Sequence, residues 1–325
     1  MKLQKVLFAI ILLAGQQSGL WAQDPFYSQP QRAPLALNPA LAGEGQTSAW
    51  RVQGNMRSQW WGGGTQPYKT SSVTLEHRIS LNDAGNALVL AGSFQNEASN
   101  GGILKSNYAS LGAAYHMALD ATGQHRIAAG LLGTYANRLL NIAEATTQTQ
   151  FGSFGFMRGS TAYDPVAAQK YQYWDVQAGL GYSYTGGQWS WHLGGALFHA
   201  AKPQESTTHD DAYELPKRKV VEGTLGYRNR QGGKWMLRSN VQWQGEHAVQ
   251  QVAVDYQLPI GEEAGRMLLF GAGHRFGDAY FPYVQLDWQG ISVGMSYDAI
   301  TSPVRRFYNK VQSAELTLAY NFGKK

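Results

Sequence analysis

The sequence predicts an all-β fold, a transmembrane antiparallel β-barrel of about 14 strands with long extracellular loops and short periplasmic turns. The first observation behind this is the C-terminal stretch Ser313–Phe322, SAELTLAYNF. Ala314, Leu316, Leu318, Tyr320 and Phe322 share one face, and Ser313, Glu315, Thr317, Ala319 and Asn321 share the other. Period two marks a strand with one oily and one wet face, and about ten residues suffice to cross a bilayer when tilted. The second is composition. The 325 residues include 38 Gly, 18 Tyr and 10 Trp, and only 15% are charged, below the roughly 25% of soluble domains. A mean hydropathy of -0.35 nevertheless excludes a helical membrane protein. A barrel reconciles the two, because only alternate residues meet lipid. The third is punctuation: short Gly- and Asn-rich turns alternate along the chain with longer connections.

Taken in order, residues 1–22 read as a secretory leader. Lys2 and Lys5 precede the apolar run Val6–Ala14, which is too short to span as a helix, and cleavage is expected after Ala22. Two of the 27 Lys and Arg leave with it, so 25 face 22 Asp and Glu, a balance too weak to argue for nucleic acid. The absence of Cys excludes a disulfide scaffold, a thiolate metal site, a Cys nucleophile and an acylated lipoprotein cysteine.

Residues 23–47 form a Pro-rich arm ahead of a barrel over residues 48–325. Pro25, Pro30, Pro34 and Pro39 fix φ and remove backbone donors, so an extended, irregular and stiff segment is expected. Phe26, Tyr27, Leu35, Leu37 and Leu41 give it surface to bury, so it should be ordered. Asn38-Pro39 suits a turn that hands the chain to the first strand. A periplasmic start would place the arm below or inside the lumen.

From Trp50 the pattern is strand, turn, strand. Trp50, Val52, Gly54, Met56, Ser58 and Trp60 alternate with Arg51, Gln53, Asn55, Arg57 and Gln59, a polar set that must face the lumen. Val73–Ile79, Ala87–Asn96, Tyr108–Leu119, Arg126–Ala136, Trp174–Tyr184, Trp189–His199 and Lys219–Arg228 follow. Then come Trp235–Gln244, Gln251–Leu258, Met267–Arg275, Tyr280–Trp288, Ile291–Asp298 and Ser313–Phe322. Fourteen is even, as bacterial barrels require, and the first and last strands should pair to remove the sheet's edges. The longer connections are 137–173, 200–216 and 299–312.

No motif of an enzyme is present: no Walker loop, HExxH, GxSxG or CxxC. His192 and His199 lie seven apart, which on a straight strand puts them on opposite faces. Ser206, His209, Asp210 and Asp211 sit in a long loop where nothing sets their geometry. No catalysis, cofactor or metal is therefore expected. Charges at polar-face positions are more telling: Arg51, Arg57, Glu76, Arg78, Glu222, Arg228, Arg238, Arg275, Asp298 and Glu315. They line water in an open pore, or pair across the lumen and close it. Arg275, Asp298 and Glu315 sit beside the small residues Gly273, Ser296 and Thr317 and are expected to form a network.

Several pieces resemble the PorP/SprF family of Bacteroidota outer-membrane proteins. They are Gln23–Gln29 (QDPFYSQ), Pro34–Gly43 (PLALNPALAG), Leu215–Arg218 leading into Gly226–Arg228, Arg275–Ala279 (RFGDA), Gly294–Asp298 (GMSYD) and Glu315–Tyr320 (ELTLAY). Trp60-Trp61 and Gly62–Gly64 depart from the family pattern. The resemblance implies a non-enzymatic outer-membrane barrel of the type IX secretion system. Its partners would be components of that system and secreted proteins bearing a type IX C-terminal signal, some of them gliding adhesins. The arm, the polar-face charges and these pieces together give Phe26, Tyr27, Asn38, Pro39, Arg275, Asp278, Asp298 and Glu315 as structural or interaction candidates. A diffusion channel for small solutes in outer-membrane lipid is the alternative from another class.

Overall fold

The computed structural model describes residues 24–46, 48–62, 66–82, 85–141, 150–153, 155–157, 169–204, 214–261, 265–308 and 310–323. The expected leader and the residues Ser206, His209, Asp210 and Asp211 lie outside the described residues.

Among the described residues sixteen strands form. They are β1 (Trp50–Trp61), β2 (Tyr68–Ser80), β3 (Ala87–Ser99), β4 (Leu104–Ala118), β5 (His125–Leu140), β6 (Phe151–Gly152), β7 (Gly155–Phe156) and β8 (Gln169–Gly186). Then follow β9 (Trp189–Phe198), β10 (Arg218–Arg228), β11 (Lys234–Gln244), β12 (His247–Pro259), β13 (Arg266–Arg275), β14 (Ala279–Trp288), β15 (Ile291–Ile300) and β16 (Gln312–Phe322). All but β6 and β7, which pair only with each other, close into one antiparallel barrel of 14 strands. Each barrel strand answers to one expected strand. β2 begins earlier, at Tyr68, because Tyr68–Ser72 carries no apolar alternation to announce it.

Closure is made by β1 against β16, with Trp50 opposite Phe322, Gly54 opposite Leu318 and Arg57 opposite Glu315. Side chains alternate as the pleat requires. Met56, Leu316 and Leu318 are exposed on the outside, while Arg57, Glu315 and Thr317 are buried inside. Aromatic pairs gird one end, among them Trp189–Tyr227 and Trp235–Tyr256 with ring centroids 4.9 and 4.7 Å apart.

Two expectations are corrected. The alternation in β1 puts Trp60 on the lipid face, but the register shifts between Ser58 and Trp61. Trp60 takes a positive φ of 58° and packs against the buried cluster Ala279, Ile300 and Val311. A bulge of this kind re-aims one side chain without ending the strand. The long connections are also fewer than a strict alternation implies. The end opposite the tight turns carries the long links 141–168, 199–217 and 301–311, but also the two-residue link Gly245-Glu246 and the three-residue link 276–278. The turn end behaves as expected. At Gln289 and Gly290, φ is 50° and 90°, as a two-residue hairpin of matching twist demands.

Candidate functional site: the arm and the lumen wall

The arm lies inside the barrel and runs its length. Residues 24–29 contact the loop end of the lumen, Asn38 contacts its middle, and Ala42–Gln46 reach the turn end, where β1 begins. Three of the arm's four prolines each open a turn. Pro30 opens a 3-10 turn at Pro30–Arg32, Pro34 a single α-turn at Pro34–Leu37, and Pro39 a 3-10 turn at Pro39–Leu41. Proline suits a first helical position because its missing N–H has no partner there anyway. Leu35 packs with Val89, Ala91, Ala114 and Leu132, and Leu37 and Leu41 with Phe198 and Val220. Burying each such leucine contributes about 1.5–3 kcal/mol.

At the loop end the polar contacts of Ser28 and Gln29 converge on four strands. The Ser28 backbone N–H donates to Glu315 Oε2 at 2.7 Å, and that of Gln29 to Glu315 Oε1 at 3.3 Å. Ser28 Oγ donates to Asp298 Oδ1 at 2.7 Å and accepts from Arg57 Nη1 at 2.6 Å and Arg275 Nη1 at 3.3 Å. Both guanidinium groups meet Asp298 Oδ2, Arg57 at 2.8 Å and Arg275 at 2.6 Å. Arg57 lies 3.5 Å from Glu315, and Arg275 Nε bonds Asp278 at 2.6 Å. The Phe26 ring sits near both cations, 4.8 Å from Arg275 Cζ and 5.9 Å from Arg57 Cζ. Two buried cations thus share three carboxylates and one arm hydroxyl. Such a set holds only when every member is partnered. Tyr27 adds bonds from its hydroxyl to Ser72 Oγ at 3.0 Å and Gln95 Oε1 at 3.2 Å.

A second station holds Asp24. His199 Nε2 lies 2.7 Å from Asp24 Oδ2 and His199 Nδ1 lies 2.8 Å from Asp175 Oδ2, so both ring nitrogens face carboxylates. Arg218 Nε is 3.0 Å from the same Asp24 oxygen, and the Asp24 N–H donates to Gln244 Oε1 at 3.0 Å. Burial opposes a charged imidazole, yet Asp24 and Asp175 outweigh it and raise the His199 pKa to about 9. Burial alone would raise the Asp24 carboxyl, but His199 and Arg218 hold it well below the usual carboxylate range. The expectation that His192 and His199 face opposite sides fails here. β9 ends at Phe198, and His199, at φ 56°, turns its ring back into the lumen. His192 bonds a different carboxylate, Glu222, at 2.9 Å.

The third station is a notch in the wall. The fully buried Asn38 accepts from the Ala40 N–H at 2.9 Å and donates to Leu180 O at 3.0 Å and Glu222 Oε1 at 3.1 Å. Glycine makes this approach possible. A Cβ on Gly179 would sit 1.9 Å from Asn38 Oδ1, and one on Gly130 2.4 Å from the Pro39 carbonyl carbon. Asn38-Pro39 therefore pins the arm to the mid-lumen wall rather than handing the chain directly to β1, which starts only at Trp50.

All eight sequence candidates, Phe26, Tyr27, Asn38, Pro39, Arg275, Asp278, Asp298 and Glu315, lie on the arm or in its loop-end and mid-lumen contacts. Of the other lumen charges, Arg51 bonds Glu76 and Arg238 bonds Asp255 at 2.8 Å. Arg228 departs from the pattern, exposed at the last position of β10. Sequence reasoning passed over Asp24, Asp175, Arg218 and the glycines of the notch. The alternation of β8 signalled Asp175, since Tyr173, Asp175 and Gln177 share its buried face. Nothing in the sequence signalled that Asp24 reaches it.

Among solved structures, three outer-membrane-type barrels of similar shape stand out. The Ralstonia pickettii toluene transporter TbuX has a TM-score of 0.50 at 10% identity, covering 89% of this chain and 92% of that one. A Pseudomonas aeruginosa FadL homologue has 0.51 at 9%, covering 88% and 98%, and the CymD monoaromatic hydrocarbon channel 0.51 at 10%, covering 90% and 93%. At such identity the likeness shows the fold alone. No curated protein sequence matches the chain. The family model of the type IX secretion system membrane protein PorP/SprF matches residues 20–320. With nearly the whole chain matched and a closed outer-membrane barrel around it, the protein belongs to the PorP/SprF family of type IX secretion system membrane proteins.

Proposed function

We propose that this chain is a non-enzymatic outer-membrane barrel whose own N-terminal arm closes its lumen, and that it supports export or surface attachment of secreted proteins, gliding adhesins among them. Its leader, residues 1–22, delivers it across the inner membrane. Residues 23–47 then thread the barrel formed by residues 48–325, with the tight turns in the periplasm and the long loops outside. The observation that carries the reading is the arm's line of contacts, from Asp24 on His199 at the loop end to the Gly43 N–H on Glu76 at 3.1 Å near the turn end. A diffusion channel would leave that path to solutes. A closed barrel instead offers a docking platform to the secretion machinery and to clients carrying a type IX C-terminal signal.

The test replaces the chromosomal gene with one lacking Asp24–Leu37 but retaining the leader. Export or surface display of a type IX client is then measured, with barrel assembly verified by heat-dependent gel mobility. Assembled barrels with impaired export support the reading. Assembled barrels with undiminished export, surface display and partner capture from native membranes contradict it.

A further inference from the structure

Leu35 and Ala42 of the arm pack on β3, β4 and β5, and space remains between the arm and the strands β8–β16 and β1. There a cavity of about 550 Å³ extends from Lys234, Gly265 and Gly290 at the turn end inward to Gln31 and Arg32. Its volume falls in the ordinary range of ligand sites, roughly 300–1,000 Å³. Beyond Pro30–Gln31 lies a smaller cavity of about 20 Å³, so the large one forms a vestibule at the turn end.

Arg32 stands at its inner end without a partner. Its side chain makes no hydrogen bond or ion pair among the described residues, and its Nε is buried. Arg51, Arg57, Arg218, Arg238 and Arg275 each meet a carboxylate. Arg32 is half-buried, and its nearest countercharges, Asp287 and Asp255, act on it without forming an ion pair, so its unbonded guanidinium leaves a place for an anion at the inner end of the cavity. Lys234, the first residue of β11, stands at the mouth and likewise makes no ion pair among the described residues. The acids on the wall are Glu44, Glu222 and Asp287. Glu222 is engaged by Asn38 and His192, and Asp287 accepts from Gln285 Nε2 at 2.6 Å. Between mouth and inner end the wall presents hydroxyls and amides beside Met236 and Met267.

We propose that this vestibule binds the carboxylate end of an extended peptide entering from the turn end. Arg32 holds the carboxylate with its planar fork, and Lys234 draws the ligand to the mouth. The depth of Arg32 favours a long ligand over a compact ion. The hydroxyl-lined wall matches backbone amides, and Met236 and Met267 take side chains. The site belongs to the lumen itself and stands whichever client the barrel serves.

The test uses the full barrel in detergent micelles and a mixed pool of N-acetylated five-residue peptides, made with free or amidated C-termini. Binding is read by calorimetry, and the most retained peptides are identified by mass spectrometry. The free acids should bind at least tenfold more tightly than the amides. Arg32→Gln should lose that preference, Arg32→Lys should keep part of it, and Lys234→Gln should weaken binding two- to threefold, more at low salt. Equal binding of acid and amide overturns the proposal. So does an Arg32→Gln barrel that binds like the wild type, the absence of any binding at millimolar peptide, or occupancy by phosphatidylglycerol alone. If Arg32→Gln does not assemble, the acid–amide comparison on the wild type and Lys234→Gln decides the matter.

Discussion

Asp24 and His199, 175 residues apart in the chain, meet at 2.7 Å at the loop end of the lumen, where His199 bridges Asp24 to Asp175. This contact fixes the leading end of the arm to the barrel wall, and it depends on a proton. The His199 pKa is raised from 6.5 to about 9, so the stabilisation is fully present below about 6.5 and is lost as pH rises through about 9. Asp24 is shifted the other way. Its contribution is present above 3.8 and is lost only as pH falls below that. The melting temperature of the wild type should therefore drop between pH 8 and 10 by more than that of His199→Gln. Parallel curves across that range would rule out the bridge as a stabilising contact.

Removing Arg275 strips Asp298 and Asp278 of a cation and leaves Phe26 without its nearer cation. Breaking one partner of a buried charge set costs about 3–5 kcal/mol. Arg275→Ala should lower the unfolding free energy by that amount and make residues 24–29 accessible to protease. An Arg275→Ala barrel as stable as the wild type, with a protected arm, would refute the network.

The notch predicts a steric result. Gly179→Val places atoms where Asn38 Oδ1 now sits, because even a Cβ there lies 1.9 Å from it. The barrel should still form, since Val favours strands, but the arm should be expelled from the mid-lumen. Arg218 donates both to Ala36 O at 3.1 Å and to Gln242 Oε1 at 2.9 Å, so these two residues lie close, and cross-linking between cysteines introduced at them should fall several-fold in the Gly179→Val background. Unchanged cross-linking would show that the wall yields instead.

Adjacent positions on β16 separate lipid from lumen. Leu318 is 55% exposed on the outer face, and Thr317 is 4% exposed inside. Leu318→Arg should cost roughly 2–4 kcal/mol in a lipid refolding titration if it lies near the midplane, and Thr317→Arg less. A reversed order would place β16 in the opposite register.

Period-two patterning made the strands legible, because one face of each meets lipid and the other a packed polar lumen. The same pattern placed Arg57, Arg275, Asp298 and Glu315 inside, and the cost of burying charge led to a network of Arg275, Asp298 and Glu315, which Arg57 joins in the structure. The composition of the arm showed that it must pack. It did not show where, because proline and leucine dictate stiffness and burial but name no partner. Hence the reach of Asp24 to Asp175, His199 and Arg218 lay outside what local pattern can reveal. The notch was hidden for a different reason: a strand glycine reads as weak β-propensity until the atom it makes room for is known. Trp60 misled because a bulge breaks periodicity without changing residue type.

Closure of the lumen by the arm is read out by conductance in a planar lipid bilayer. Wild-type barrels should show no steady ion current. Barrels lacking Asp24–Leu37 should open a pore with stable current steps, since that segment carries the contacts at the loop-end stations. A silent deletion barrel, or a wild type that conducts as freely as the deletion, would show that the arm does not close the lumen.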